Sequence, residues 1–248
     1  MDTFTHDGRS VFYRQVGDGP LLLILHGNTA SSILHESELA HFGRRYRAVA
    51  PDLPGVGQSS RIVAWPDDWW AQGARDAAAL AMRLGYSRWL VMGTSGGGIA
   101  ALHMAIEFPG QVQAVVADSC AEHLPLEAIE RMIAERSLKT PGQIAFWHAA
   151  HGEDWEQVVE ADSALLVRFG CSGGDHFGGR LAEVRCPVLL TASLSDELLS
   201  DVGTQVCRMI AQMPGGRAYL ARSGGHPLMW SRPDEFRAAA DCFLARVA

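Results

Sequence analysis

The chain has almost no lysine. Of 21 Lys and Arg residues, all but Lys139 are arginine, and no basic run stands out against a formal charge of −7. This excludes the electrostatic footprint of a nucleic-acid binder. Cysteine is sparse too: Cys120, Cys171, Cys186, Cys207 and Cys242 are scattered, odd in number and without a C-x-x-C pair. Such a set argues for reduced thiols in a cytoplasmic protein rather than a disulfide framework. The opening residues Met1 to Asp7 lack the apolar core of a signal peptide, and no apolar run approaches bilayer-spanning length. The expected partner is therefore neither a membrane nor a nucleic acid.

What is present is an ordinary globular composition, 48% hydrophobic and 20% charged over 248 residues. That is enough for one large domain, or for a core domain carrying an insertion. Ser10–Val16 followed by Gly17-Asp18-Gly19-Pro20 reads as a hairpin feeding the apolar run Leu21–Leu25. Further short strands are expected at 46–50, 88–92, 112–117, 187–191 and 217–220. Helices are expected at 76–84, 96–107, after Ser200 and from Pro233. Continuously apolar strands alternating with helices indicate an α/β fold, a mostly parallel sheet of roughly eight strands covered on both faces. The alternation lapses between about 120 and 183, where helical segments such as 126–133 and 155–160 occur without a convincing strand. The expected organisation is a core of 1–119 and 184–248 interrupted by a helical cap, 120–183.

The most informative stretch is Gly93-Thr94-Ser95-Gly96-Gly97 at the end of the 88–92 strand. An apolar run ending in G-x-S-x-G reads as a strand turning sharply into a helix, with the serine strained at the tip and glycines removing colliding side chains. A serine hydroxyl needs a base, and the base an orienting acid. His226 follows the 217–220 strand, and Asp196 follows the 187–191 strand, with Asp118 and Glu197 as alternatives for the acid. The carboxyl ends of parallel strands line one crevice, where such side chains can converge. His26-Gly27-Asn28 ends the first buried strand, and the backbone N–H groups of Asn28 and Gly96 are the candidate oxyanion donors.

Other groups take blander readings. Asp52 is expected to brace the turn that begins Asp52-Leu53-Pro54-Gly55, and His26 to bond nearby backbone. His148, His151 and Glu153 lack a third ligand of suitable spacing, so no metal site is expected. Leu228, Met229 and Trp230, just beyond His226, together with Trp147 in the cap, are candidate walls of a substrate pocket.

Taken together, His-Gly, D-x-P-G-x-G-x-S, G-x-S-x-G, the late Asp and the late Gly-His resemble the α/β-hydrolase superfamily over nearly the whole chain. Within it the chain is most similar to small serine hydrolases with a short helical cap, including the valacyclovir hydrolase (biphenyl hydrolase-like) group. The resemblance implies a Ser95–His226–Asp196 triad cleaving a small-molecule carboxylic ester by acyl transfer, with no metal or organic cofactor. Two departures narrow it. The position after the nucleophile, acidic in the valacyclovir hydrolase, is Gly96, which removes the basis for preferring α-amino esters. Segments 26–32 and 50–53 also resemble haloalkane dehalogenases, whose nucleophile is an aspartate followed by tryptophan, whereas this chain has Ser95-Gly96. The same scaffold hosts carbon–carbon, thioester and lactone hydrolysis, and small-molecule receptors that retain a triad.

Overall fold

A computed structural model of the chain, describing residues 2–247, shows an eight-stranded sheet flanked by helices. In chain order the elements are β1 (Asp2–His6), β2 (Arg9–Val16), β3 (Leu21–Leu25), α1 (Glu36–Phe42), β4 (Arg47–Pro51), α2 (Trp69–Arg83), β5 (Trp89–Thr94), α3 (Gly96–Glu107) and β6 (Val112–Asp118). The helical insertion follows, with α4 (Leu126–Arg136), α5 (Pro141–His151) and α6 (Trp155–Cys171). After it come β7 (Val188–Ser193), α7 (Val202–Gln212), β8 (Gly216–Ala221), α8 (Leu228–Ser231) and α9 (Pro233–Leu244).

The strand order is β1-β2-β4-β3-β5-β6-β7-β8, antiparallel at β1–β2–β4 and parallel from β4 through β8. The expected hairpin between 10–16 and 21–25 does not form: β4 lies between β2 and β3, and Gly17–Pro20 only link them. The hairpin is β1–β2 instead, closed by the two-residue loop Asp7-Gly8 with φ of 47° and 74°. Asp-Gly with both φ positive matches the right-handed twist of the strands it joins. Leu21–Leu25 is wholly apolar because it belongs to the middle of the sheet, buried on both faces.

Alternate residues of the same strand feed two cores. Leu21, Leu23 and Leu25 of β3, with Trp89 and Val91 of β5, pack against α2 and α3. Leu22 and Ile24, with Leu90 and Met92, pack against Phe42 of α1 and Phe236 and Phe243 of α9. This period of two inside a continuously apolar strand is the mark of a sheet sandwiched by helices. From β3 the chain steps outward to β4 and then returns to place β5 on the other side of β3. That reversal opens a crevice at the carboxyl edge, above β3 and β5. No described helix is long and apolar enough to cross a membrane.

Candidate active site

Ser95 stands between β5 and α3 with φ 54° and ψ −124°, a conformation costly for a residue with a Cβ. Its neighbours explain how the turn closes. A Cβ on Gly97 would lie 2.1 Å from the Leu25 carbonyl oxygen, and one on Gly93 would lie 2.0 Å from that of Gly97. The backbones of β3, β5 and α3 approach too closely there for any side chain. The Ser95 N–H donates to the Asp118 carbonyl (2.7 Å), and the Ser95 carbonyl accepts from Gly98 (2.9 Å) as α3 begins. The serine is thus presented at the positive end of a helix.

His226 reaches it from beyond β8. Its Nε2 lies 2.9 Å from Ser95 Oγ and its Nδ1 2.8 Å from Asp196 Oδ2. The Asp196 side chain is fully buried, and its Oδ1 accepts from the N–H groups of Leu198 (3.0 Å) and Leu199 (2.9 Å). A carboxylate only accepts hydrogen bonds, so Nδ1 carries the ring proton and Nε2 keeps a lone pair toward the serine. Glu197 takes a different position, both its oxygens accepting from the His226 backbone N–H. Asp118, the other alternative acid, has no bond to His226. It accepts from Thr94 Oγ1 (2.9 Å), Thr191 Oγ1 (2.6 Å) and Met229 N–H (3.0 Å), bracing β5, β7 and α8. Burial pushes its carboxyl up to about 6 against the pull of those bonds.

A cavity of about 400 Å³ opens over Ser95, within the size range of small-molecule sites. Asn28 and Gly96 both line it, and neither backbone N–H finds a protein acceptor among the described residues. Gly96 has no room for a side chain, since a Cβ would fall 1.8 Å from Asn28 Oδ1. An acidic residue cannot replace it while Asn28 keeps this rotamer.

Of the four candidate wall residues, Trp230 lines the cavity and three do not. Leu228 and Met229 are fully buried, their N–H groups tied to Ser119 Oγ and Asp118 Oδ2, which directs them into the core. Trp147 is buried within the insertion, stacked on Trp155 at 5.3 Å. Its neighbour Phe146 faces the site instead, with Trp70, Ile99 and Leu166. Sequence reasoning also missed Arg136 and Gln143, which line the cavity, and Asp162, which bonds Asn28. A signal for Asp162 exists: it falls at the seventh place after Trp155 on the buried stripe 155, 158, 159, 162, 165, 166 of α6. A carboxylate at the centre of an apolar helical face needs a partner.

Three other histidines, His26, His151 and His148, bond partners outside this run, whereas His176 lines the cavity beside Trp70. His26 Nδ1–H donates to the Gly27 carbonyl (2.8 Å), and Nε2 accepts from Leu53 N–H (2.9 Å). His151 Nδ1 accepts from Gly57 N–H (3.1 Å) and Nε2–H donates to the Thr29 carbonyl (3.0 Å), and burial lowers its pKa to about 4 against the pull of the Thr29 bond. His148 pairs with Glu153 at the surface (3.1 Å). Asp52 accepts from the N–H groups of Ser32 and Gln58 (both 2.7 Å), closing its turn.

The chain is similar to known proteins along its length. It is 27% identical over 272 residues to "Putative carbamate hydrolase RutD" of Caulobacter sp. (strain K31), spanning 99% of this chain and 98% of that one. It is 23% identical over 269 residues to the 2-hydroxy-6-oxo-6-phenylhexa-2,4-dienoate hydrolase of Burkholderia cepacia, covering 95% of this chain and 91% of the other. Among solved structures, the enol-lactonase from Burkholderia xenovorans LB400 superposes with a TM-score of 0.79 at 15% identity, covering 98% of this chain and 100% of that one. The last likeness is one of fold. A family model described as alpha/beta hydrolase fold matches residues 20–155, more than half of the sequence and the part that holds β3, the elbow and α3. With its sheet and helical insertion on that plan, the chain belongs to the α/β-hydrolase fold family.

Proposed function

We propose that this hydrolase cleaves a small carboxylic ester through an acyl-enzyme intermediate. The observation that carries the reading is the unbroken run Ser95 Oγ–His226–Asp196, at 2.9 and 2.8 Å, opening on a mostly apolar cavity. His226 Nε2 takes the Ser95 proton as Oγ attacks the carbonyl carbon, and Asp196 stabilises the imidazolium that forms. The unengaged N–H groups of Asn28 and Gly96 donate to the carbonyl oxygen and stabilise the negative charge that develops on it. His226 then protonates the departing alcohol and later activates a water that releases the acid. Every proton has a carrier in the chain, and no metal or organic cofactor enters a step.

In this reading residues 120–183 form a cap over the cavity, while 1–119 and 184–248 make up the core. Trp230 and Phe146 wall the acyl or leaving-group side. The short helical cap keeps the likeness to the biphenyl hydrolase-like group, and Gly96 sets the chain apart from its α-amino ester preference. Five unpaired thiols, three of them exposed, fit a reducing cytoplasmic compartment.

The test is a fluorophosphonate probe with the label located by peptide mass spectrometry, followed by p-nitrophenyl esters of graded acyl length. Labelling confined to Ser95, with multiple turnovers of an ester, is the expected outcome. Folded protein that takes up no label overturns the reading. The similarity to the dienoate hydrolase supports a second reading, carbon–carbon bond hydrolysis on the same three residues. Turnover of a vinylogous diketone with esters inert would select it.

A further inference from the structure

Asp162 belongs to the insertion, yet its side chain ends at the candidate oxyanion hole. Its Oδ1 accepts from Asn28 Nδ2 at 2.5 Å, across 134 residues of sequence. Its Oδ2 accepts from Arg136 Nη1 at 2.7 Å, and that nitrogen also donates to Ser163 Oγ (3.1 Å). The Asp162 side chain is fully buried and that of Arg136 is 12% exposed. Placing a carboxylate there is expensive, and replacing such a pair by apolar residues often stabilises a fold. Folding of the insertion therefore does not explain why α6 carries an aspartate on its apolar stripe.

The other end of the Asn28 carboxamide is fixed as well. Its Oδ1 accepts from Trp70 Nε1 of α2 (3.1 Å), so an acceptor on one side and a donor on the other set the amide's orientation without ambiguity. The same Oδ1 lies where a Gly96 Cβ would be, which presses Asn28 against the residue carrying the second unengaged N–H. Two elements outside the catalytic loops thus hold the Asn28 side chain, and Asn28 itself lines the cavity.

We propose that Asp162, backed by Arg136, is a positioning residue that fixes Asn28 so that its N–H stays aimed at the developing oxyanion. The insertion then helps to build the oxyanion hole as well as covering the site. The inference rests on the acyl-transfer reading and adds the cap to its machinery. An oxyanion donor stabilises charge only if it is held in place before the reaction, so loosening Asn28 lowers kcat far more than it raises KM.

Asn28 is the single asparagine of the chain. Labelling with 15N-asparagine therefore yields one backbone amide signal and one side-chain NH2 pair. Reaction of the wild type with a fluorophosphonate should move the backbone signal downfield, as the phosphonyl oxygen enters the hole. The double variant Asp162→Leu/Arg136→Met removes both charges and leaves no unpaired ion. It should lose most of that shift, react with the probe roughly tenfold to a hundredfold more slowly, and lose kcat to a similar degree with KM changed less than about threefold. Trp70→Phe, which leaves the ion pair intact, should move the side-chain NH2 signals and cost kcat several-fold; it carries the test if the double variant does not fold. Unchanged Asn28 signals and probe rates in a folded variant, with the wild type labelled at Ser95, overturn the positioning role alone. A wild type that takes no label overturns the acyl-transfer reading and this inference with it.

Discussion

A single oxygen decides how Asp196 treats His226. Oδ1 is committed to the N–H groups of Leu198 and Leu199, so Oδ2 alone faces the imidazole. Asp196→Asn would keep its carbonyl oxygen on those two donors and turn its NH2 toward Nδ1. That forces the ring proton onto Nε2, where it can no longer accept from Ser95. We expect kcat to fall by about four orders of magnitude at pH 7.5 with the fold intact. Ser95→Ala should lose as much and abolish probe labelling, and a loss of only a few-fold in either variant would remove the triad from the mechanism. Steady-state kinetics on the best ester, with circular dichroism for folding, decide both.

At the scale of elements, the elbow is a junction with no room for a side chain. Gly97 sits where β3 and α3 nearly touch, and the atoms a Cβ would meet, the Leu25 and His26 carbonyl oxygens, are backbone that cannot turn away. Gly97→Val should cost at least about 3 kcal/mol in urea unfolding or prevent folding altogether. A stable, active Gly97→Val protein would show the packing to be looser than described. The insertion has a milder weak point. Thr140 caps α5 through a reciprocal bond with Gln143, its Oγ1 accepting from Gln143 N–H (3.3 Å) while Gln143 Oε1 accepts from Thr140 N–H (2.8 Å). Thr140→Ala should cost about 1 kcal/mol and speed amide exchange in the first turn of α5, leaving exchange in β5 and α3 unchanged.

For the molecule as a whole, buried histidines set an acid limit. Burial lowers His35 and His176 to about 3 and His151 to about 4, against an ordinary value of 6.5. The unfolded chain therefore takes up these three protons at a higher pH than the folded one does. Stability supplied by the neutral rings is complete above pH 6.5 and drains as pH falls toward 4, at about 1.4 kcal/mol per histidine per pH unit. Asp118, raised to about 6, has the opposite sign: between 6 and 3.8 the folded state binds its proton more readily, and this offsets one histidine. Burial lowers His103 to about 4 as well, and His26 in the same direction, so the net expectation is a loss of roughly 4 to 5 kcal/mol per unit between pH 6 and 5, read from urea midpoints at pH 7.5, 6 and 5. A flat profile over that range would mean that these rings are hydrated in the native state.

Whatever local spacing encodes was legible in the chain. Glycines two before and two after Ser95 specify a turn that only small residues permit, and continuous apolar runs specify strands covered on both faces. Those features also placed Ser95, Asp196 and His226 at strand ends in their order. Pairing between distant segments was left to the tertiary structure. Ser10–Val16 and Leu21–Leu25 are neighbours in sequence, yet β4 separates them, because a strand's partners follow from how the whole sheet buries its faces. Asp118 ends β6 while Asp196 and Glu197 follow β7, and only the direction of the loop after β7 turns Asp196, rather than its neighbour, toward Nδ1. Leu228, Met229 and Trp230 are consecutive, and one turn of helix sends two into the core and one to the cavity. The tie from Asp162 to Asn28 depends on how the insertion docks, a contact between residues far apart in sequence that no local pattern encodes.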